Sequence, residues 1–187
     1  TMTILALLLV GAGPSISTWM RNTQVRNTAS SMLAGLNRAR NEAMRRNVPI
    51  RFSLVSLTDS AVMDSSCALA DTGVSWVVSV RNPAANCQYA PATVAADAND
   101  PMIVETNAGG VGGKNVVVAA KIDDGSAAAN TVTFNSFGRI ADAEDLTVPR
   151  SHQLVKFAID GPGEIVAVDN GDPTSFEPFQ ASQRKAF

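Results

Sequence analysis

Aromatic residues make up only 5% of this 187-residue chain and charged residues 17%, with a single histidine, His152, and two cysteines, Cys67 and Cys87. No charged residue precedes Arg21. Each scarcity excludes something. A formal net charge of -2 gives no global attraction to nucleic acid, so any polyanion site has to be a local patch. Two cysteines are too few for a disulfide framework and lack zinc-site spacing, yet they suffice for one staple in an oxidising compartment. One histidine with no acidic partner assignable from sequence is a poor basis for a hydrolase, and His152 reads as solvated or structural. No repeat of solenoid or propeller period is present. The length, with 45% hydrophobic residues, suits one domain plus an appendage better than two domains.

What is there begins with an apolar run from Met2 to Ala12, carried by Ile4, Leu5, Leu7, Leu8, Leu9 and Val10. About a dozen residues make roughly 18 Å of helix, whereas a bilayer core needs about 20 residues, so the run as given cannot span. It suits a buried helix, a signal-peptide core or part of a longer segment. The arginines lie only on its far side, which disfavours a signal peptide. Gly13 and Pro14 then mark a place where a helix in water would end. In a membrane helix they are expected to leave a kink or a melted turn, the alternative being two helices separated at Pro14. From Val25 the pattern is amphipathic, with Val25, Ala29, Met32, Leu33, Leu36, Ala39, Ala43 and Met44 forming the stripe to be buried. Arg38, Arg40, Arg45 and Arg46 read as a solvated face favourable to the helix dipole, and Glu42 is spaced for i,i+4 pairing with Arg38 and Arg46.

Pro49 sets a boundary, after which the period becomes strand-like. Ile50 to Leu57 predicts a half-buried strand, followed by strands at Val74 to Val80, Met102 to Thr106, Val116 to Ile122, Val132 to Asn135, Leu154 to Ile159 and Glu164 to Val168. Polar turns separate them, which argues an α+β protein: one long N-terminal helix on an antiparallel β head. Asp59 to Asp71 and Ala84 to Asn99 read as surface loops. Ala108 to Asn115 approaches a phosphate-binding loop but runs into Val116, Val117 and Val118 instead of a helix, so a flexible glycine hairpin is expected. Asp123, Asp124, Asp142, Glu144 and Asp145 lack calcium-loop spacing and suit turns and caps. Phe176 and Phe179 suit either a docking edge or, preferably, a staple onto the head. Arg184 and Lys185 suit a solvated tail. Bridging Cys67 to Cys87 would close a loop worth about 3 kcal/mol, the alternative being two free, buried thiols.

The run TMTILALLLVGAGPSISTWMRNTQVRNTASSMLAGLNRARNEAMRRNVPIRF, with its Gly13-Pro14, Trp19, Arg21-Asn22 and above all LNRARNEAMRRNVPIRF, resembles the start of the type IV minor pilin and type II secretion pseudopilin family that includes GspH, FimT and FimU. The resemblance is strong over residues 1–55 and one of pattern beyond them. It departs at the start, where a leader peptide and about two helical turns with an acidic residue are expected and absent. The resemblance implies a type IV pilin-like fold, with residues 1–24 as the membrane or filament-core half of the helix and 25–187 as the periplasmic head. It implies a non-enzymatic subunit without a cofactor, processed and methylated after cleavage by a prepilin peptidase. Such a subunit rests in the inner membrane of a Gram-negative bacterium and then joins other minor and major pilins or pseudopilins in a filament, at or near its tip. A periplasmic head also favours the Cys67–Cys87 bridge. The alternative is DNA uptake: FimT-like members use a Gly-Arg-x-Arg motif. Here Gly138-Arg139-Ile140-Ala141 lacks the second arginine, so Arg139, Arg184 and Lys185 would support only weak, salt-sensitive binding.

Overall fold

The computed structural model of the chain describes the backbone of residues 2–111, 116–122, 129–141, 155–161, 164–169 and 176–178, and the side chains of Met20 and of residues 23–110, 116–121 and 129–140. Among the described residues one α-helix, α1 (Met2–Arg46), precedes ten strands: β1 (Ile50–Ser56), β2 (Ala68–Leu69), β3 (Ser75–Ser79), β4 (Ile103–Asn107), β5 (Val117–Ile122), β6 (Thr131–Phe134), β7 (Ile140–Ala141), β8 (Val155–Gly161), β9 (Glu164–Asp169) and β10 (Phe176–Pro178). The α+β architecture of a long N-terminal helix on antiparallel sheet is therefore the one the sequence predicts. α1 runs unbroken through Gly13 and Pro14, so neither a melted turn nor two separate helices is adopted there. Among the described residues no helix is long and apolar enough to cross a membrane.

The docked half of α1 follows a heptad: Val25, Ala29, Met32, Leu36, Ala39 and Ala43 are all at most 1% exposed. Steps of four and three residues keep these side chains on one line along the helix. Two residues beside that line differ from the sequence reading. Met44, assigned to the buried stripe, is 44% exposed, while Glu42, read only as an i,i+4 partner of Arg38 and Arg46, is 3% exposed. Position 42 lies one heptad after the buried Gly35, whereas position 44 is turned about 100° from Ala43. The helix stops at Asn47, which takes the left-handed φ of 54° that ends many helices, two residues before Pro49, which biases Val48 toward extended backbone.

Sheet order is β4-β3-β1-β6-β7, with β2 pairing β1, and a second sheet runs β10-β9-β8-β5. Every pair is antiparallel. Along β1, Ile50, Phe52 and Leu54 join the helix-side core with Trp76, Val78, Val132 and Phe134. Phe52 and Trp76 lie with ring centroids 5.5 Å apart, and the indole N–H of Trp76 donates to Ser31 Oγ at 3.2 Å.

The expectation of a half-buried β1 is corrected: Ser53 and Val55 on its other face are as buried as their neighbours, and all five residues of β3 are buried. The cover on that face comes from the segments read as surface loops. Val55, Val77 and Ile103 pack with Cys67 and Cys87, flanked by Leu57, Met63, Leu69 and Tyr89. Cys67 and Cys87 form a disulfide with Cα atoms 6.1 Å apart. The second sheet is tied to the first by Gly73 N donating to Val118 O (3.0 Å) and Ala120 N to Asp71 O (2.8 Å). α1 also lies against β8 and β9, so one helix spans both sheets.

Candidate interaction surface

At the carboxyl end of α1 three guanidinium groups converge on one carboxylate. Arg45 donates to Glu42 through Nη2 (2.6 Å) and Nε (3.1 Å), Arg46 through Nε (2.7 Å), and Arg38 Nη2 lies 3.5 Å from Glu42 Oε1. The Arg45 hydrogen bonds, helped by Arg46 and opposed by desolvation, lower the Glu42 pKa from 4.5 to about 2. The same contact raises the Arg45 pKa. Charge-assisted, near-bidentate geometry of this kind fixes the arginines in register. Two of them carry that register outward: Arg46 Nη1 donates to the carbonyl of Ala92 at 3.1 Å, and Arg38 Nε sits 3.5 Å from Glu105 on β4. The i,i+4 pairs were legible in the sequence; the i,i+3 pair with Arg45 and the reach to Ala92 were not.

On the opposite edge of the sheet, the β6–β7 turn is held by Asn135. Its Oδ1 accepts the backbone N–H groups of Phe137 and Arg139, both at 3.0 Å, while its own N–H donates to Arg139 O at 2.8 Å. Gly138 takes φ 71°, and a β-carbon there would meet Met44 Sδ at 2.8 Å and Arg40 Nε at 3.2 Å. The turn thus abuts the helix and presents Phe137, 81% exposed, beside the exposed Arg139. Phe137 was missed in the sequence reading, although Asn135-Ser136-Phe137-Gly138 between two apolar runs is a turn signal.

Other candidates resolve differently. Of the Ala108 to Asn115 segment, residues 112–115 lie outside the described residues; Gly109 opens a 3-10 turn (Gly109–Val111), its N–H donates to Ser75 Oγ at 3.1 Å, Gly110 N–H donates to Ser60 O at 2.8 Å, and a β-carbon on Gly109 would collide with Val74. Among the described residues no three His, Cys, Asp or Glu side chains come together to hold a metal ion. His152, Asp123, Asp124, Asp142, Glu144, Asp145, Phe179, Arg184 and Lys185 lie outside the described residues. Phe176 begins β10, paired with Val168, which places it at the edge of the second sheet.

A family model described as the glycoside hydrolase family 2 C-terminal domain 5 matches residues 124–187. No curated protein matches. Two crystal structures of the Pseudomonas aeruginosa (strain PAO1) type IV minor pilin FimU are similar to the chain. In space group P65 the identity is 15% and the TM-score 0.40, covering 84% of this chain and 94% of that one. In space group P21 the values are 15% and 0.44, covering 88% and 94%.

Proposed function

We propose that the chain is a minor pilin or pseudopilin subunit. It would hold its apolar helix segment first in the inner membrane and then among the helices of a type IV pilus or type II secretion pseudopilus, with the head in the periplasm or on the filament. The observation that carries this reading is the length of α1 together with the apolar run at its start. A helix of 45 residues is about 68 Å long, whereas the docked stripe from Val25 to Ala43 takes up about 27 Å. By sequence, the part of α1 before that stripe includes Ile4, Leu5, Leu7, Leu8, Leu9 and Val10, an apolar run suited to lipid or other helices. Function on this reading is assembly, with no bond made or broken. The minor-pilin pattern over residues 1–55 supports a position at or near the tip, promoting polymerisation with other pilin-like subunits after processing by a prepilin peptidase.

Co-purification of the chain with pilin-like partners, with and without Leu7→Arg and Leu8→Arg, tests the reading. The double variant is expected to lose its partners while the head keeps its unfolding midpoint. Partners retained in full by that variant would refute it.

A second reading, DNA capture for uptake, is favoured by the turn that puts Arg139 and the exposed Phe137 beside Arg40, since cations and a stackable ring suit single strands. It predicts a salt-steep affinity that Arg139→Ala weakens; binding that is flat with salt counts against it.

A further inference from the structure

The connection from β3 to β4, residues 80–102, contains neither helix nor strand, far beyond the usual four to six residues of a loop. Such a segment keeps its shape only through its anchors. Its ends are clamped together, Val80 N donating to Met102 O at 3.3 Å and Arg81 N to Pro101 O at 3.0 Å. Between the ends, Ala85 N donates to Cys67 O (2.8 Å), Ala92 N donates to Ile103 O (2.9 Å), and Ala92 O accepts from Arg46. Across residues 84–99 the one fully buried side chain is Cys87, bonded to the equally buried Cys67.

The two cores divide accordingly. The helix-side core, from Val25 through Phe134, contains neither cysteine. Among the described residues the second-face core has Val55, Val77 and Ile103 as its buried members apart from the cysteines, with Leu57, Met63, Leu69 and Tyr89 packed against it. Two strained residues lie in the strap: Ala85 has φ 62° and Met102 φ 53°, a left-handed conformation that side chains disfavour. Asp100, 1% exposed, holds the far end by accepting from Ala96 N and Met102 N, both at 2.7 Å, so between Pro83 and Asp100 the bond is the one fully buried restraint.

We propose that the 80–102 strap is a cooperative unit separate from the helix–sheet body, and that the Cys67–Cys87 bond switches it. With the bond formed, the strap covers the second face of the sheet; with both thiols reduced, it lifts from Val55, Val77 and Ile103 while α1 stays docked. Reduction here is thiol–disulfide exchange: a dithiol's thiolate attacks one sulfur, the mixed disulfide closes to the reagent's cyclic disulfide, and two electrons and two protons leave Cys67 and Cys87 as thiols. Because both sulfurs are buried, the closed strap shields the bond that holds it. The state set at oxidation therefore persists.

Hydrogen exchange on the full chain tests this, comparing oxidised protein, protein reduced with dithiothreitol, and the Cys67→Ser/Cys87→Ser variant. The Ala85 and Ala92 amides are expected to exchange about a hundredfold faster without the bond, while β1 and β6 keep their protection. Unchanged protection at Ala85 and Ala92 would overturn the proposal, as would loss of protection across β1 and β6 in step with them. Ala85→Gly, which relieves one strained residue, is expected to restore about threefold protection to the reduced strap. No recovery at all would remove the role assigned to strain.

Discussion

Gly35 crosses Trp76 with no room for a methyl group: a β-carbon on it would lie 3.0 Å from the indole and 2.8 Å from Phe52. The substitution Gly35→Ala therefore sets two effects against each other. Alanine improves helix propensity by about 1 kcal/mol, whereas wedging a methyl group between two rigid rings costs about 1–3 kcal/mol. Rings cannot bend aside as a methionine end can, so overpacking wins. Urea unfolding is expected to show a net loss of about 1–2 kcal/mol. A variant as stable as the parent would mean that α1 is free to ride higher on the sheet.

Acid should loosen the helix end in a defined window. The Glu42 carboxyl, 3% exposed, has its pKa lowered from 4.5 to about 2, first by the Arg45 hydrogen bonds, against the cost of burial. A folded-state pKa below the unfolded one means that the stabilisation is complete above about pH 5 and is lost as pH falls toward 2. Its upper limit is on the order of 3 kcal/mol. Glu42→Gln removes the titration, so the parent's advantage over the variant, about 1–3 kcal/mol at pH 7, is expected to shrink toward zero by pH 2. Stability–pH curves that run parallel for the two proteins would contradict this.

Period and turn chemistry made most of the fold readable, since β1, β3, β4, β5, β6, β8 and β9 each begin and end within two residues of the apolar runs that predict them. β2, β7 and β10 were not readable, because two or three residues carry no period and pair only where a longer strand offers an edge. Both faces of β1 are buried because a segment some 30 residues away, polar and rich in alanine, is pinned across it by Cys87; alternation along β1 holds no trace of that. The burial of Glu42 was not readable for a related reason. A carboxylate reads as solvent-facing until its partners are counted, and Arg45 and Arg46 make its burial tolerable.

Gly138 separates conformational strain from crowding. With φ 71° it occupies the left-handed region, and the nearest neighbour of an added β-carbon is the flexible end of Met44. Crowding is then cheap and strain dominates. Gly138→Ala is expected to cost about 1–2 kcal/mol, and Gly138→Asn clearly less, since asparagine tolerates that conformation. Equal losses for the two in thermal unfolding would show that Met44 and Arg40 cannot give way.

Arg45 and Arg46 touch the same carboxylate at nearly equal distance, 2.6 and 2.7 Å, yet they should not matter equally. The Arg45 contact dominates the pKa of Glu42, but the Arg45 side chain is 62% exposed, so water and salt screen it and its ordering entropy offsets much of the gain. Arg46 is 16% exposed and also donates to Ala92 O. Removing it strands a backbone carbonyl of the strap as well as weakening the Glu42 pair. Arg46→Ala is expected to cost about 1–2 kcal/mol with little salt dependence, and Arg45→Ala far less, its effect vanishing at high salt. Ala92 N should lose hydrogen-exchange protection only in the Arg46 variant. The reverse ranking would place the weight of the cluster on its exposed arm and would sever the link drawn between the helix end and the strap.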